Sequence, residues 1–325
     1  MNESVKNPRG TASRRNLRNG LLFTAPSIIG LLALTFYPVA SSLYYSFCNY
    51  TGLKPPEWVG AANYARMAHD SLLLQSLANT AMYTIFAVPI TIIVAFLLAM
   101  LLNQKVKGLA LYRTLFYLPS IVPVVASSVL WIWLLNPQYG LINNLLQWLH
   151  LPTSGWMAQP ENMLPSAVDF LRSPIEAFRQ LSFGAKPALI LMSAWGVGPL
   201  MIIFLAGLQD VPKELLEAAE IDGASVVQRV RHVTIPFMSP YLFFSVVMGL
   251  IAASQYFTQA YVMTNGSGSP ANSTLFYAMY LFQNAFHFFK MGYACAMAWF
   301  LFIVILGATL FIFRTSARVV YYGER

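Results

Sequence analysis

Six long stretches of this chain are apolar and carry no ionisable side chain, and they limit its fold more than any other feature. They cover residues 21–47, 77–102, 114–135, 187–208, 237–264 and 291–313, and none contains Asp, Glu, Lys, Arg or His. A helix needs about 20 apolar residues to cross the hydrocarbon core of a bilayer. The rest of the chain cannot make up a soluble surface. Only 10% of its 325 residues are charged, against about 25% in soluble domains. A soluble enzyme and a disordered chain are both excluded. The expected fold is an all-α membrane protein with six transmembrane helices.

An even number of crossings puts both termini on one side, and charge selects the side. With the N-terminus in the cytoplasm, inside segments hold 14 Lys and Arg residues and outside segments hold 6. Basic residues collect in cytoplasmic loops. The net charge of +8 is therefore read as membrane orientation, with no nucleic-acid partner. The expected organisation is a cytoplasmic tail at 1–20, a first helix at 21–47, a five-helix core at 72–314 and a cytoplasmic tail at 315–325. The core includes an external loop at 136–186 and a cytoplasmic segment at 209–236. Ser13-Arg14-Arg15 before an apolar run resembles a twin-arginine signal. Five further spans follow it, so an uncleaved first helix is expected. Cys48 and Cys295 lie far apart in or beside apolar segments, and His69, His150, His232 and His287 are dispersed. Neither set has metal-ligand spacing.

Several spans contain proline: Pro38, Pro89, Pro119, Pro123 and Pro199. Each removes a backbone donor and tends to kink its helix. Simple bending and a pathway lined by broken helices both fit. The external loop has two short amphipathic stretches, 141–149 and 167–181. The run Asn265-Gly266-Ser267-Gly268-Ser269-Pro270 is a turn-rich break.

The cytoplasmic segment is charged and short. Asp210 can cap a helix, Pro212 falls in its first turn and Gly223 supplies its stop. A second short helix is expected after Ser225, and Pro236 then opens the fifth span. Local rules alone fit an ordinary surface helix equally well. The spacing is more particular: Glu217-Ala218-Ala219, three residues, Gly223, nine residues, then Val233-Thr234-Ile235-Pro236. This resembles the EAA motif of ABC importer permeases, E-A-A, three, G, nine, I-x-L-P. The resemblance runs over most of the chain. It takes in Leu118-Pro119-Ser120-Ile121-Val122-Pro123, the stretch from Asn136 to Asn143, Trp195-Gly196 and Tyr261–Gly266. It is nearest to the six-span, maltose-type branch of the carbohydrate permeases, including members for uronate oligomers. Residues 159–185 look like an insertion.

The resemblance implies a type I importer permease in the bacterial inner membrane. Its partners would be a second permease subunit, two copies of an ATPase subunit and an extracytoplasmic solute-binding protein. ATP and Mg would sit on the ATPase, since this chain has no phosphate-binding Gly-rich loop and is not expected to be an enzyme. Glu217, Ala218, Ala219, Asp222, Gly223 and Pro236 are expected to couple to that ATPase. For the solute path, span five offers Ser254, Gln255, Tyr256, Thr258 and Gln259. Gln255 and Gln259 are four apart, as on one helix face. Amides suit sugar hydroxyls and aromatic rings suit sugar faces. Hydrogen bonding between helices would use the same residues. The resemblance aligns further contacts with Ser120 and Val124, with Gly196, Val197 and Leu200, and with Gly249 and Ala253. The expected solute-path residues are Ser120, Gly196, Gln255, Tyr256 and Gln259. An importer for a non-sugar solute is the alternative. An ion-coupled transporter would carry intramembrane charges, which the six stretches lack.

Overall fold

The computed structural model describes residues 9–104, 107–151, 153, 155–158 and 185–316. Four helices are long and apolar enough to cross a membrane: Asn16–Ser46, Ser71–Leu102, Val226–Thr264 and Met291–Ser316. Two bent pairs reach the same length together. Leu109–Ile121 and Val124–Leu134 meet at 97°, and Lys186–Trp195 and Gly198–Gln209 meet at 51°. Counting each pair as one crossing, these are the six expected stretches.

Proline explains where the bent pairs break. Pro123 precedes Val124–Leu134, with Val122 and Pro123 both in extended backbone. Pro199 lies in the first turn of Gly198–Gln209. Pro89 and Pro240, in contrast, lie inside continuous helices. Several boundaries differ from expectation. The first helix begins at Arg9 and runs through a π-helical turn at Leu32–Phe36 to Ser46, so residues 9–20 of the expected tail are helical. Pro236 does not open the fifth span. Helix runs on from Val226 through a π turn at Val230–Thr234 into Ile235–Ser254. The wider turn accommodates a residue that cannot donate to the carbonyl four positions back.

The chain forms two compact units, Met1–Ala68 with Asn284–Trp299, and His69–Gln283 with Phe300–Arg325. The expected core of 72–314 therefore loses the first part of span six to the other unit. The reason is local pairing. Gly292 N–H donates to Tyr50 O at 2.9 Å, and Trp299 Nε1 donates to Ser42 Oγ at 3.1 Å. Arg66 lies 5.0 Å from the Tyr293 ring centroid. A two-stranded antiparallel ribbon, Cys48–Asn49 with Glu57–Trp58, belongs to the same unit.

Span two is the axis of the larger unit. Asp70 caps it by accepting from Leu73 N–H, and its other carboxylate oxygen accepts from Tyr280 O–H at 2.8 Å. Two buried polar residues then fasten the segment after span five. Asn79 Nδ2 donates to the carbonyls of Asn272 and Leu275, and Thr80 Oγ1 accepts from Tyr277 N–H. Further along, the fully buried Ala95 and Ala99 let span two approach Met201, Phe204 and Met238. Small residues at such contacts bring helix backbones close where no water drives association. Gly249 does the same for span five, since a Cβ there would lie 2.9 Å from Val88 Cγ1. In the loop expected to be external, the amphipathic stretch at 141–149 is a helix, Leu141–Trp148. Asn143 fastens it, donating to Pro137 O and accepting from Trp156 Nε1. The second stretch, 167–181, and residues 159–184 of the expected insertion lie outside the described residues.

Candidate functional site

Two sites were expected, a cytoplasmic coupling segment and a solute path. The first is a pair of short helices, Lys213–Ile221 and Val226–Arg229. Gly223 has φ +78°, a left-handed conformation that favours glycine. Its N–H donates to Glu220 O, and Ala224 N–H donates to Ala219 O. This is the paired-bond stop in which the last helical carbonyls are satisfied by the turning chain. Ser225 then caps the second helix through a reciprocal box with Gln228. Arg229 Nη1 reaches back to Glu220 Oε2 at 2.7 Å.

Asp210 does not cap the first helix. Pro212 occupies that position without a side-chain bond, and Asp210 instead accepts from Tyr241 O–H of span five. Helix Gly198–Gln209 ends just before Asp210, which stands in the short link that follows it and meets span five instead of the next helix start. Leu216 faces a small recess lined by Met100, Leu208, Val211 and Thr234. Glu217, Ala218, Asp222 and Gly223 are exposed. So is a row of apolar side chains beyond them: Ile221 is 87% exposed, Val227 75% and Val226 63%. Sequence reasoning did not single out this row. Pro236 lies inside the continuous helix, away from the turn.

The second site is a cavity of about 580 Å³ in the larger unit, within the range of small-molecule sites. Ser120, Gly196, Gln255, Tyr256 and Gln259 all line it. So do Val124, Gly249 and Ala253. Val197 and Leu200 do not. Val197 is buried in the apolar cluster with Ala95, Ala99, Met201 and Phe204, and Leu200 lies against it, because the bend at Gly196 turns them away. The expected pairing of Gln255 and Gln259 on one helix face is also wrong. The helix stops at Ser254, Gln255 and Phe257 leave helical geometry, and a new helix starts at Thr258. Both amides reach the cavity across that break. Among the described residues neither amide has a hydrogen-bond partner within the chain.

Sequence reasoning missed span two. Tyr83 and Thr91 line the cavity, as does Ser193 of span four. The Tyr83 ring lies 4.3 Å from that of Tyr256, and its hydroxyl bonds to Ser193 Oγ, which in turn donates to Leu189 O. The Tyr256 hydroxyl is buried beside this pair without a partner. The available signal was polarity within an apolar run, which hydropathy averages away. Ser120 Oγ is engaged by Tyr117 O. Among the described residues, none that lines the cavity is acidic or basic. The wall presents amides, hydroxyls, backbone and the rings of Trp195, Tyr256 and Phe257.

A helical membrane protein with broken spans around a cavity of amides, hydroxyls and rings, and with an exposed paired-helix turn, has the build of a transport permease. Residues 64–320 match the family described as "Binding-protein-dependent transport system inner membrane component", and the chain belongs to that family. It is 39% identical to the probable ABC transporter permease protein YesP of Bacillus subtilis, over 96% of this chain and 94% of the relative. It is 30% identical to the lactose transport system permease protein LacF of Rhizobium radiobacter, over 91% and 94%. The arabinooligosaccharides transport system permease protein AraP of Bacillus subtilis is 30% identical, over 93% and 89%. Among solved structures, a bacterial alginate ABC transporter in complex with an alginate pentasaccharide-bound periplasmic protein matches with TM-score 0.76. It covers 96% of this chain and 99% of that one at 20% identity. The fold is that of an ABC importer permease.

Proposed function

We propose that this chain is a permease subunit of an ABC importer for a sugar or oligosaccharide delivered by an extracytoplasmic binding protein. The observation that carries the reading is the cavity. It offers unpaired amides at Gln255 and Gln259 beside aromatic rings, and among the described residues no charged side chain lines it. Sugar hydroxyls pair with amides, and sugar faces stack on rings. The named functions of LacF and AraP support the same class.

In this reading the chain spans the bacterial inner membrane six times with both termini in the cytoplasm. It pairs with a second, related permease subunit and two copies of an ATPase subunit, which hold ATP and Mg. The exposed turn with Glu217, Ala218, Ala219, Asp222 and Gly223 docks on the ATPase. Ile221, Val226 and Val227 supply apolar contact, and Glu217 supplies a charge-assisted bond. ATP-driven closure of the partners moves the turn, and the spans rock between outward-open and inward-open states. The test is uptake by the reconstituted complex of lactose, maltotriose, arabinotriose and trigalacturonate. Uptake of at least one, dependent on ATP and the binding protein, is expected. Uptake of amino acids or metal ions with none of these would overturn the sugar reading.

A further inference from the structure

Three spans lose their helical geometry at the same cavity. Span three breaks at Val122, span four at Gly196 just after Trp195 ends its helix, and span five at Gln255 and Tyr256. All five residues line the cavity. Within a helix each carbonyl accepts from the N–H four residues on. At these breaks that donor is gone. Pro199 is four residues after Trp195 and has no N–H to offer it. Among the described residues, no backbone N–H and no side chain donates to the carbonyls of Val122, Trp195, Gly196, Gln255 or Tyr256. All five lie inside the apolar stretches, where an unpaired carbonyl is tolerated only if it is buried in protein or lines a wet cavity.

We infer that these break-point carbonyls form the main acceptor set for the solute, so that recognition rests on backbone more than on side chains. The inference builds on the saccharide reading above. Backbone carbonyls accept and never donate. They therefore select a ligand rich in hydroxyl donors, while the rings of Trp195, Tyr256 and Phe257 hold its apolar faces. The Ser120 hydroxyl already donates to Tyr117 O, so it offers the solute its oxygen as one more acceptor and no donor. Two of the side chains that meet the solute's remaining groups are the amides of Gln255 and Gln259. This arrangement tolerates change in the lining side chains, since the acceptors are not side-chain groups.

The test pairs a protein change with a ligand change in the complete reconstituted importer. Pro199→Ala restores an N–H one turn after Trp195 and occupies that carbonyl. The ligand is the saccharide of the uptake panel that is transported fastest, together with its monodeoxyfluoro derivatives. Fluorine in place of hydroxyl removes the donor while keeping size. In the wild type at least one derivative is expected to lose about 3- to 10-fold in uptake, the worth of a single hydrogen bond. With Pro199→Ala uptake of the parent sugar falls by a similar factor, and that derivative loses little more. ATP hydrolysis stimulated by the loaded binding protein is retained. If Pro199→Ala does not assemble, Gly196→Ala serves, because its added methyl meets nothing nearer than Ser193 O at 3.8 Å. It adds bulk to the cavity lining at the same break.

Equal losses for the derivative in wild type and both variants would overturn the inference, as would wild-type uptake indifferent to every fluorinated position. Uptake that requires sodium would show that the carbonyls hold a cation instead. If none of the panel is transported, the saccharide reading fails first and the inference falls with it.

Discussion

Gly223 allows a graded test of the coupling turn. Its φ of +78° lies in the left-handed region, and no atom lies within 4 Å of the position a Cβ would take. Substitution there meets backbone strain with no steric clash. Asn tolerates the conformation well, so Gly223→Asn is expected to change little. Ala has no compensating side-chain bond, and Gly223→Ala costs about 1–2 kcal/mol. Proline is held near φ −65° and cannot reach +78°. It also removes the N–H that donates to Glu220 O, a further loss of about 1 kcal/mol. The stop must then dissolve, and the second helix with its Ser225 cap loses its direction. Co-purification of the ATPase and ATP-driven uptake should therefore fall in the order Gly, Asn, Ala, Pro. A deficit of about 1.4 kcal/mol in the docked state is tenfold in association. Membrane insertion should be unaffected, since the turn lies outside the apolar stretches. Wild-type ATPase retention and uptake by Gly223→Pro would refute the reasoning.

Other outcomes follow from the same structure. In a background lacking Cys48 and Cys295, an impermeant thiol reagent applied from outside should label a cysteine at Ser267 and leave one at Ala224 untouched; the reverse would invert the topology. Gln255→Leu should lower uptake while the complex still assembles, because Gln255 has no partner within the described chain; lost assembly with normal uptake per complex would assign the amide to helix packing. Gly249→Ala should destabilise the subunit by about 1–3 kcal/mol through overpacking against Val88, and Val88→Ala should restore it; a thermal-unfolding shift that the second change does not reverse would place the strain elsewhere.

Much of the coupling turn was legible in the residues because its determinants are local. A glycine at the stop, Ser225 with Gln228 three residues on, and the Glu217-Ala218-Ala219 spacing act within a few positions of one another. The exception is Asp210, which is a good cap by type. A neighbour from another span, Tyr241, takes its carboxylate. The cavity was legible as a set of residues and not as a geometry. Gln255 and Gln259 were chosen for a shared helix face, and both line the cavity across a break that separates them into two helices. No proline or glycine marks that break, so nothing in the local sequence announces it.

The sequence by itself determined the solvent and the element type. Six uncharged apolar stretches have nowhere stable to go except a bilayer, and a bilayer demands helices. It also offered the prolines beside which two of those helices break, but Pro89 and Pro240 stand in continuous helix, so the missing donor alone did not choose the breaks. Only the tertiary structure decided what the breaks are for. Val122, Gly196 and Tyr256 are far apart in the chain and become neighbours of one cavity because spans three, four and five converge there. Tertiary structure also decided that the first part of span six joins the N-terminal unit. The apolar stretch 291–313 is uniform in hydropathy, and the choice rests on two hydrogen bonds and a glycine that lets Tyr50 come near. Hydropathy reports a transfer free energy, which every residue carries alone. Partnership depends on which surfaces meet, and that is a property of the packed chain.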